Sequence, residues 1–248
     1  MIYIATHKEF QSPGFAGYVP LQVGAALHDD FGYLRDDTGD NISTKNPNFC
    51  ELTGLYWIWK NTEDEYKGLV HYRRFFGKSN LSKDFKDVYT YDELVEMLSH
   101  CDMVVPYIEY FKENAKDEIL MQCCTTGIFD ELSNVLAELY PDYLVTYNEY
   151  FSQKKSILFN MLFCRNTIFD AYCEWLFDIL FELERRVDLS SLDDYQKRLF
   201  GFLSERLLNV WILKNSISTK NCSIINSDNN KRDSLILLLR RWYHRINI

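Results

Sequence analysis

Lys67-Gly68-Leu69-Val70-His71-Tyr72-Arg73-Arg74-Phe75-Phe76 decides the fold class. A short apolar run that ends in an imidazole and two guanidiniums reads as a buried strand. Such a strand delivers polar groups to its carboxyl end, where open α/β sheets bind ligands. Ile2-Tyr3-Ile4-Ala5, followed by Thr6-His7-Lys8, repeats the pattern at the start of the chain. Strands alternating with helical patterns predict an α/β fold with a largely parallel central sheet flanked by helices.

Working outward, Pro13, Gly14, Gly17 and Pro20 mark a loop, and residues 35–48 are dense in turn formers. Asn46-Pro47 predicts a helix start, and the apolar residues through Trp57 and Trp59 carry that helix to Asn61. Further helices are expected over Tyr91–Ser99, Phe129–Leu139, from Asn166 to Val187, and from Asp193 or Asp194 to Trp211 or beyond. Met103–Pro106 reads as a strand, and residues 157–164 as a buried strand interrupted by Asn160. Residues 111–127 show no decisive pattern.

Composition narrows the function. The 248 residues are 47% hydrophobic and 25% charged, so a folded chain is expected over most of the length. A balance of 27 basic against 36 acidic residues, net −9, argues against a nucleic-acid binder. No apolar run reaches the roughly 18–20 residues of a spanning helix, and the first residues carry no signal pattern. Seven cysteines with no C-x-x-C suggest neither a disulfide framework nor a zinc knuckle. A cytosolic chain is expected.

Against that acidic background, the cations of His71-Tyr72-Arg73-Arg74 stand out. Arginine forks bind phosphate oxygens bidentately, and an imidazolium can neutralise a leaving-group oxygen. Surface arginines paired with the many acids are the alternative. Glycine-rich phosphate loops of the G-x-G-x-x-G or G-x-x-x-x-G-K type are missing, so a diphosphate would be held by side-chain cations or a metal. Asp36-Asp37 and Asp193-Asp194 read as turns or caps, and the five histidines lack metal-ligand spacing. Metal-independent chemistry is favoured. Asp194, Arg198, Gly201, Glu205 and Asn209 recur at helical spacing on one face of an otherwise apolar helix. That stripe is either a solvated face or a site in which the glycine leaves room beside a carboxylate. Asn160 requires a partner, in a neighbouring loop or in the site.

Several segments together resemble one family. They are Ile4-Ala5-Thr6-His7-Lys8, Gln22-Val23-Gly24-Ala25-Ala26, Asn41-Ile42-Ser43 through Asn46, and Glu51 through the Trp57-Ile58-Trp59-Lys60-Asn61 motif. The others are Gly68 through Phe75, Asn160-Met161-Leu162-Phe163, Tyr172 through Phe177, and Gly201 through Leu207. Over about residues 2–215 the chain looks like the bacterial DUF4422 family, whose members sit among capsular and exopolysaccharide glycosyltransferases. The resemblance implies a GT-A-like domain over residues 1–215 that uses a nucleotide-diphosphate sugar, UDP-linked by preference. A hexose, galactose or galactofuranose first, would pass to a lipid-linked glycan acceptor, with inversion; a retaining transferase or a non-catalytic glycan-binding protein is the alternative. His71-Tyr72-Arg73 stands where GT-A folds place an Asp-x-Asp metal motif, so manganese or magnesium is not favoured. The strand at Asn160 resembles the one beside the sugar in such folds.

On this resemblance Thr6, His7, Lys8, Gln22 and Gly24 hold base and ribose, with Asn41 and Ser43 on the same nucleotide side. His71 and Arg73, flanked by Tyr72 and Arg74, bind the diphosphate, and Asn160 contacts the sugar. Glu205 deprotonates the acceptor; Glu51 and Asp102 are further candidates, with Arg198 on the acceptor side.

Residues 216–230, rich in Ser, Asn, Lys and Asp, read as a linker. In residues 231–248, Lys231, Arg232, Arg240, Arg241 and Arg245 oppose the single acid Asp233. Leu235, Leu238, Leu239, Trp242 and Ile246 fall at helical spacing. A basic amphipathic C-terminal helix is expected, lying on an anionic membrane surface at the inner face of the cytoplasmic membrane. The alternative docks it on the enzyme's own core or on a second copy in a homodimer.

Overall fold

Ile2 and Ile4 enter the apolar core on one face of the first strand, β1 (Ile2–Thr6), and Tyr3 and Ala5 enter the core on the other. This period of two buries the sheet on both sides. In the computed structural model, which describes residues 1–79, 82 and 84–227, β1 pairs in parallel with β2 (Tyr18–Gln22). β2 carries the parallel edge strand β3 (Leu34–Arg35), and the other side of β1 pairs in parallel with β4 (Tyr66–His71). Each of the two strands that decided the fold class thus ends at the same side of the sheet.

Beyond β4 the sheet is mixed, which corrects the expectation of a largely parallel one. β5 (Arg74–Gly77) returns antiparallel to β4 after the two-residue turn Tyr72-Arg73. Downstream strands are β6 (Met103–Pro106), β7 (Ile108–Tyr110), β8 (Lys155–Ile157), β9 (Leu162–Arg165) and β10 (Thr219–Asn226). β9 runs antiparallel to both β4 and β6, while β10 lies antiparallel to β5 and parallel to β6. The pairings β4–β5–β10–β6–β9 therefore close on β4. β7 and β8 form a separate antiparallel pair. For β5 the reason is connectivity: parallel neighbours need long crossovers, whereas the tight turn Tyr72-Arg73 permits only an antiparallel return.

The helices are α1 (Asn46–Phe49), α2 (Leu52–Asn61), α3 (Tyr91–Met97), α4 (Ala115–Gln122), α5 (Thr126–Leu139), α6 (Leu144–Phe151), α7 (Asn166–Arg186) and α8 (Leu199–Lys214). Apolar residues of α2 and α5–α8 pack with Tyr3, Ala5, Leu69 and Met103 on one face; Leu94 of α3 and Leu98 just after it pack with Ile2, Ile4 and Val70 on the other. Gly68 permits the close crossing of β4 and β9, because a Cβ there would lie 2.9 Å from the Leu162 carbonyl oxygen. Among the described residues no helix is long and apolar enough to cross a membrane.

Three local readings change. The helix expected over Asn46–Asn61 breaks at Cys50, whose φ of 52° lies in the left-handed region. Asn46 does not cap a helix start; its amide donates to the Cys50 carbonyl (2.7 Å) and to Thr53 Oγ1 (3.1 Å), sealing the break. The interrupted strand at 157–164 is two strands in two sheets, β8 and β9. Finally, residues 219–226 of the span read as a linker are strand β10, whose Cys222 and Ile225 are buried. It opens with three polar residues and carries Cys222, Ile224 and Ile225 as its apolar ones, so composition alone disguises it. The remainder of that span beyond residue 227, and the basic amphipathic helix expected over 231–248, lie outside the described residues.

Candidate functional site

A cleft of about 630 Å³ opens where β1 and β4 end. One part is built by Ala5 and His7 from the end of β1 and by His71, Tyr72, Arg73 and Arg74 from the β4–β5 turn. Asn46, Pro47, Cys50 and Glu51 come from α1 and the break after it. Arg198, Phe202 and Glu205 come from α8 and the turn before it, Gln122 from the end of α4, and Leu158 and Phe159 from the segment between β8 and β9.

That segment is the structural centre of the site. Phe159 (φ 78°) and Asn160 (φ 51°) are consecutive non-glycine residues in the left-handed region, which costs roughly 1–2 kcal/mol at Phe159 and less at Asn160, whose short amide side chain tolerates it. Surrounding polar groups hold them there. His71 Nε2 lies 2.6 Å from the Phe159 carbonyl oxygen, and the Phe159 N–H donates to Glu205 Oε1 (3.0 Å). Because a carbonyl only accepts, the His71 proton on that side resides on Nε2. The Asn160 amide donates to Glu51 Oε1 (2.7 Å) and to the Gly201 carbonyl (2.9 Å), and accepts from Ser204 Oγ (2.9 Å). Asn209 clasps Ile157, accepting from its N–H (2.8 Å) and donating to its carbonyl (2.9 Å).

The polar stripe on α8 is therefore no solvated face: Gly201, Glu205 and Asn209 grip residues 157–160. Asp194 does not belong to it, since the helix begins at Leu199 and Asp194 is fully exposed. The gap at Gly201 does not await a ligand either, because Cys50 Cβ and Sγ fill it, 3.2 Å from where a Cβ would sit. Asn160 lies behind the cleft, 2% exposed, with its amide committed to Glu51 and α8. Asn160→Ala should lower the unfolding free energy by about 2–3 kcal/mol, combining an unsatisfied buried partner with lost tolerance for the left-handed region. Urea denaturation checks this; a change under about 0.5 kcal/mol, the range of surface substitutions, would contradict it.

The electrostatics separate the groups. Burial, with Glu51 nearby, pushes the Glu205 carboxyl up to about 7; Arg206, the Phe159 N–H and Arg74 oppose the shift. Burial, reinforced by Arg74 and Arg73, holds His71 below its ordinary range against Glu51 and the Phe159 carbonyl. His71 thus enters the cleft near neutral pH as an uncharged imidazole, not the imidazolium expected. His7 is likewise lowered by burial and then by Lys8 and Arg73. Positive charge in the cleft rests on Arg73, Arg74 and Arg198, with the Arg74 guanidinium 4.8 Å over the Phe159 ring.

Other expected site residues lie nearby without lining the cleft. Thr6 Oγ1 donates to the Lys8 carbonyl (2.5 Å), and Lys8 Nζ is 4.9 Å over the Tyr72 ring. Buried Gln22 bonds the Asp29 carbonyl and the Phe31 N–H. Gly24 adopts φ +67°, and a Cβ there would sit 2.6 Å from Asn46 Cγ, so only glycine fits beside the cleft wall. Gly24 and Ala25 N–H groups donate to the carboxylate of fully buried Asp36 (2.9 Å each), which also accepts from Ser43 Oγ. Asn41 in turn accepts from the Ser43 N–H (3.2 Å). Asp36 is thus more than a turn former: it ties down the loop that carries these residues. Asp102 is removed from the site, since it precedes β6 at the opposite end of the sheet and binds Ser218.

Cys50, Phe159, Phe202 and Gln122 were not singled out from sequence; only Asn160, a residue tolerant of the left-handed region, signals the turn. A divalent cation does not fit at the end of β4, where His71-Tyr72-Arg73 offers one neutral nitrogen among cations. Among the described residues no three His, Cys, Asp or Glu side chains gather to hold a metal ion.

Comparison with known proteins agrees with this architecture. The apo structure of WbbM, a bifunctional glycosyltransferase, superposes with a TM-score of 0.85 at 28% identity, over 92% of this chain and 45% of that one. The chain therefore spans less than half the length of that protein. No curated protein matches the chain. The family model for DUF4422, a domain of unknown function, matches residues 1–216. With strands β1–β9 and every residue of the cleft inside that match, the chain belongs to the DUF4422 family.

Proposed function

We propose that the chain is a glycosyltransferase of GT-A-like fold that moves a hexose, galactose or galactofuranose first, from a UDP-linked donor to a lipid-linked glycan in capsule or exopolysaccharide synthesis. One observation carries this reading: a carboxylate with a pKa of about 7 shares a cleft at two strand ends with three arginines. Arg198 stands on the acceptor side, while Arg73 and Arg74 suit the diphosphate, whose oxygens they bind in forked pairs. As the bond from the anomeric carbon to the diphosphate oxygen breaks, they stabilise the charge on the departing UDP. Glu205 takes the proton of the acceptor hydroxyl while that oxygen bonds to the anomeric carbon from the opposite face, which inverts the centre. A base of pKa near 7 is matched to that task at neutral pH. Neutral His71 fixes the Phe159 carbonyl and so keeps the strained turn, and with it Glu205, in place.

A thermal-shift screen of the full chain against UDP-, GDP-, CDP- and dTDP-sugars tests the donor. A rise in melting temperature with the UDP compounds, equal with and without manganese, is expected; no shift with any of them contradicts the reading. For the acceptor side, the basic pattern of residues 231–248 supports attachment to an anionic membrane, each basic group near the surface contributing about 1 kcal/mol. The full chain should float with anionic liposomes at low salt and a 1–230 truncation should not. Equal recovery of both would remove the membrane from the proposal.

A further inference from the structure

We propose that the rings of Tyr195 and Phe202 form a stacking platform for a sugar ring of the acceptor glycan, with Gln122 and Arg198 as its polar edge. The inference rests on the glycosyltransferase reading and extends it to the acceptor. Tyr195 is 50% exposed, whereas about half of the Tyr, Phe and Trp rings among the described residues are buried. Its centroid lies 5.1 Å from that of Phe202, tilted by 43°. The Arg198 guanidinium sits 5.8 Å over Tyr195 and 5.1 Å over Phe202. Phe202, Arg198 and Gln122 all line the cleft that holds Glu205.

The chemistry of this patch is that of carbohydrate recognition. An aromatic face takes up the C–H face of a pyranose, while a planar amide and a guanidinium at its edge suit neighbouring hydroxyls. The platform is also linked to the proposed base. Gln122 Nε2 donates to Tyr195 Oη (3.4 Å), and Arg206 Nη2 donates to Gln122 Oε1 (3.4 Å). Arg206 is 3% exposed, and its Nη1 lies 3.9 Å from Glu205 Oε2. Phe202 and Glu205 are three residues apart on α8, a rise of about 4.5 Å, comparable to one sugar ring. A ring stacked on Phe202 would thus lie within about one sugar ring's length of Glu205 along the helix. The donor cations belong to the β4–β5 turn, a separate element of the cleft, so donor and acceptor need not compete for the rings.

Saturation-transfer NMR on the full chain, with methyl β-D-galactopyranoside and methyl β-D-glucopyranoside as probes, tests the platform; calorimetry with UDP runs in parallel. The parent chain and Tyr195→Phe should show saturation transfer to a probe. Tyr195→Ala and Phe202→Leu should reduce it by about two- to tenfold, the scale of a lost aromatic contact, while UDP affinity stays unchanged. Tyr195 is exposed, so its truncation leaves the core intact. Undiminished transfer in Tyr195→Ala, or no transfer in a parent chain that binds UDP, overturns the platform and leaves the donor reading standing. Loss of UDP affinity in Tyr195→Ala also overturns it, reassigning the rings to the donor's base. Saccharide binding at the rings without UDP affinity supports the platform and sinks the glycosyltransferase reading.

Discussion

Glu205→Gln is expected to fold, to bind UDP, and to lose on the order of 10²-fold or more in turnover, as for loss of a general base. The amide is nearly isosteric, and its oxygen can still accept from the Phe159 N–H, so the left-handed turn at 159–160 stays clamped. What disappears is the capacity to take a proton. The pH dependence follows from the same group. Glu205 is ionised in increasing fraction as pH rises through about 7, so kcat/KM should climb through that range and flatten above it, a limb absent from Glu205→Gln. Stability runs the other way. A carboxyl raised from 4.5 to about 7 makes the folded chain bind more protons than the unfolded one between those values. The stability it contributes is full below 4.5 and is lost as pH rises through about 7. Replacing Glu205 with Gln should therefore leave the melting temperature at pH 8 equal or higher. Turnover within a few-fold of the parent, with the limb through about pH 7 intact, would make Glu205 only a clamp for Phe159.

Arg73→Ala is expected to weaken UDP binding by about 1.5–3 kcal/mol, the range for hydrogen bonds to charged groups. That corresponds to roughly ten- to a hundredfold in affinity. Arg73 lies in the two-residue turn between β4 and β5, its guanidinium 5.6 Å over the Tyr72 ring, and it lines the cleft. With His71 held neutral by burial, the arginines carry the positive charge there, which is why removing one has a large effect. Arg73→Lys should recover part of the affinity, because a point charge remains and the planar fork is lost. Calorimetric titration reads both. Unchanged affinity in Arg73→Ala would place the diphosphate elsewhere.

The strand ends were legible because a buried strand must expose polar groups somewhere, and Thr6-His7 and His71-Tyr72-Arg73 stand where the apolar runs stop. The α8 stripe was legible as a pattern, but its meaning was not. Whether Glu205 and Asn209 meet water or residues 157–160 depends on a turn whose only local signal is Asn160. Strand direction was hidden for a different reason. Leu162–Arg165 reads equally well parallel or antiparallel, and only the closure of β9 on both β4 and β6 decides it. β10 escaped because Thr219–Asn226 opens with three polar residues and has only Cys222, Ile224 and Ile225 as apolar ones, within a stretch whose composition resembles a spacer. Buried Asp36 was read as a turn former from its neighbours, and its role as acceptor for Gly24, Ala25 and Ser43 exists only once the loop has closed.

Under the proposed function this cleft breaks a nucleotide-diphosphate sugar with Glu205 as base. Release of UDP from a panel of UDP-sugars by the full chain, read enzymatically with and without added glycan acceptor, tests it most directly. Slow release is expected with water alone, faster release with acceptor, and loss of the acceptor-stimulated rate in Glu205→Gln. No UDP release from any donor, together with glycan binding that is indifferent to UDP, would contradict it and leave a glycan-binding module of the same fold.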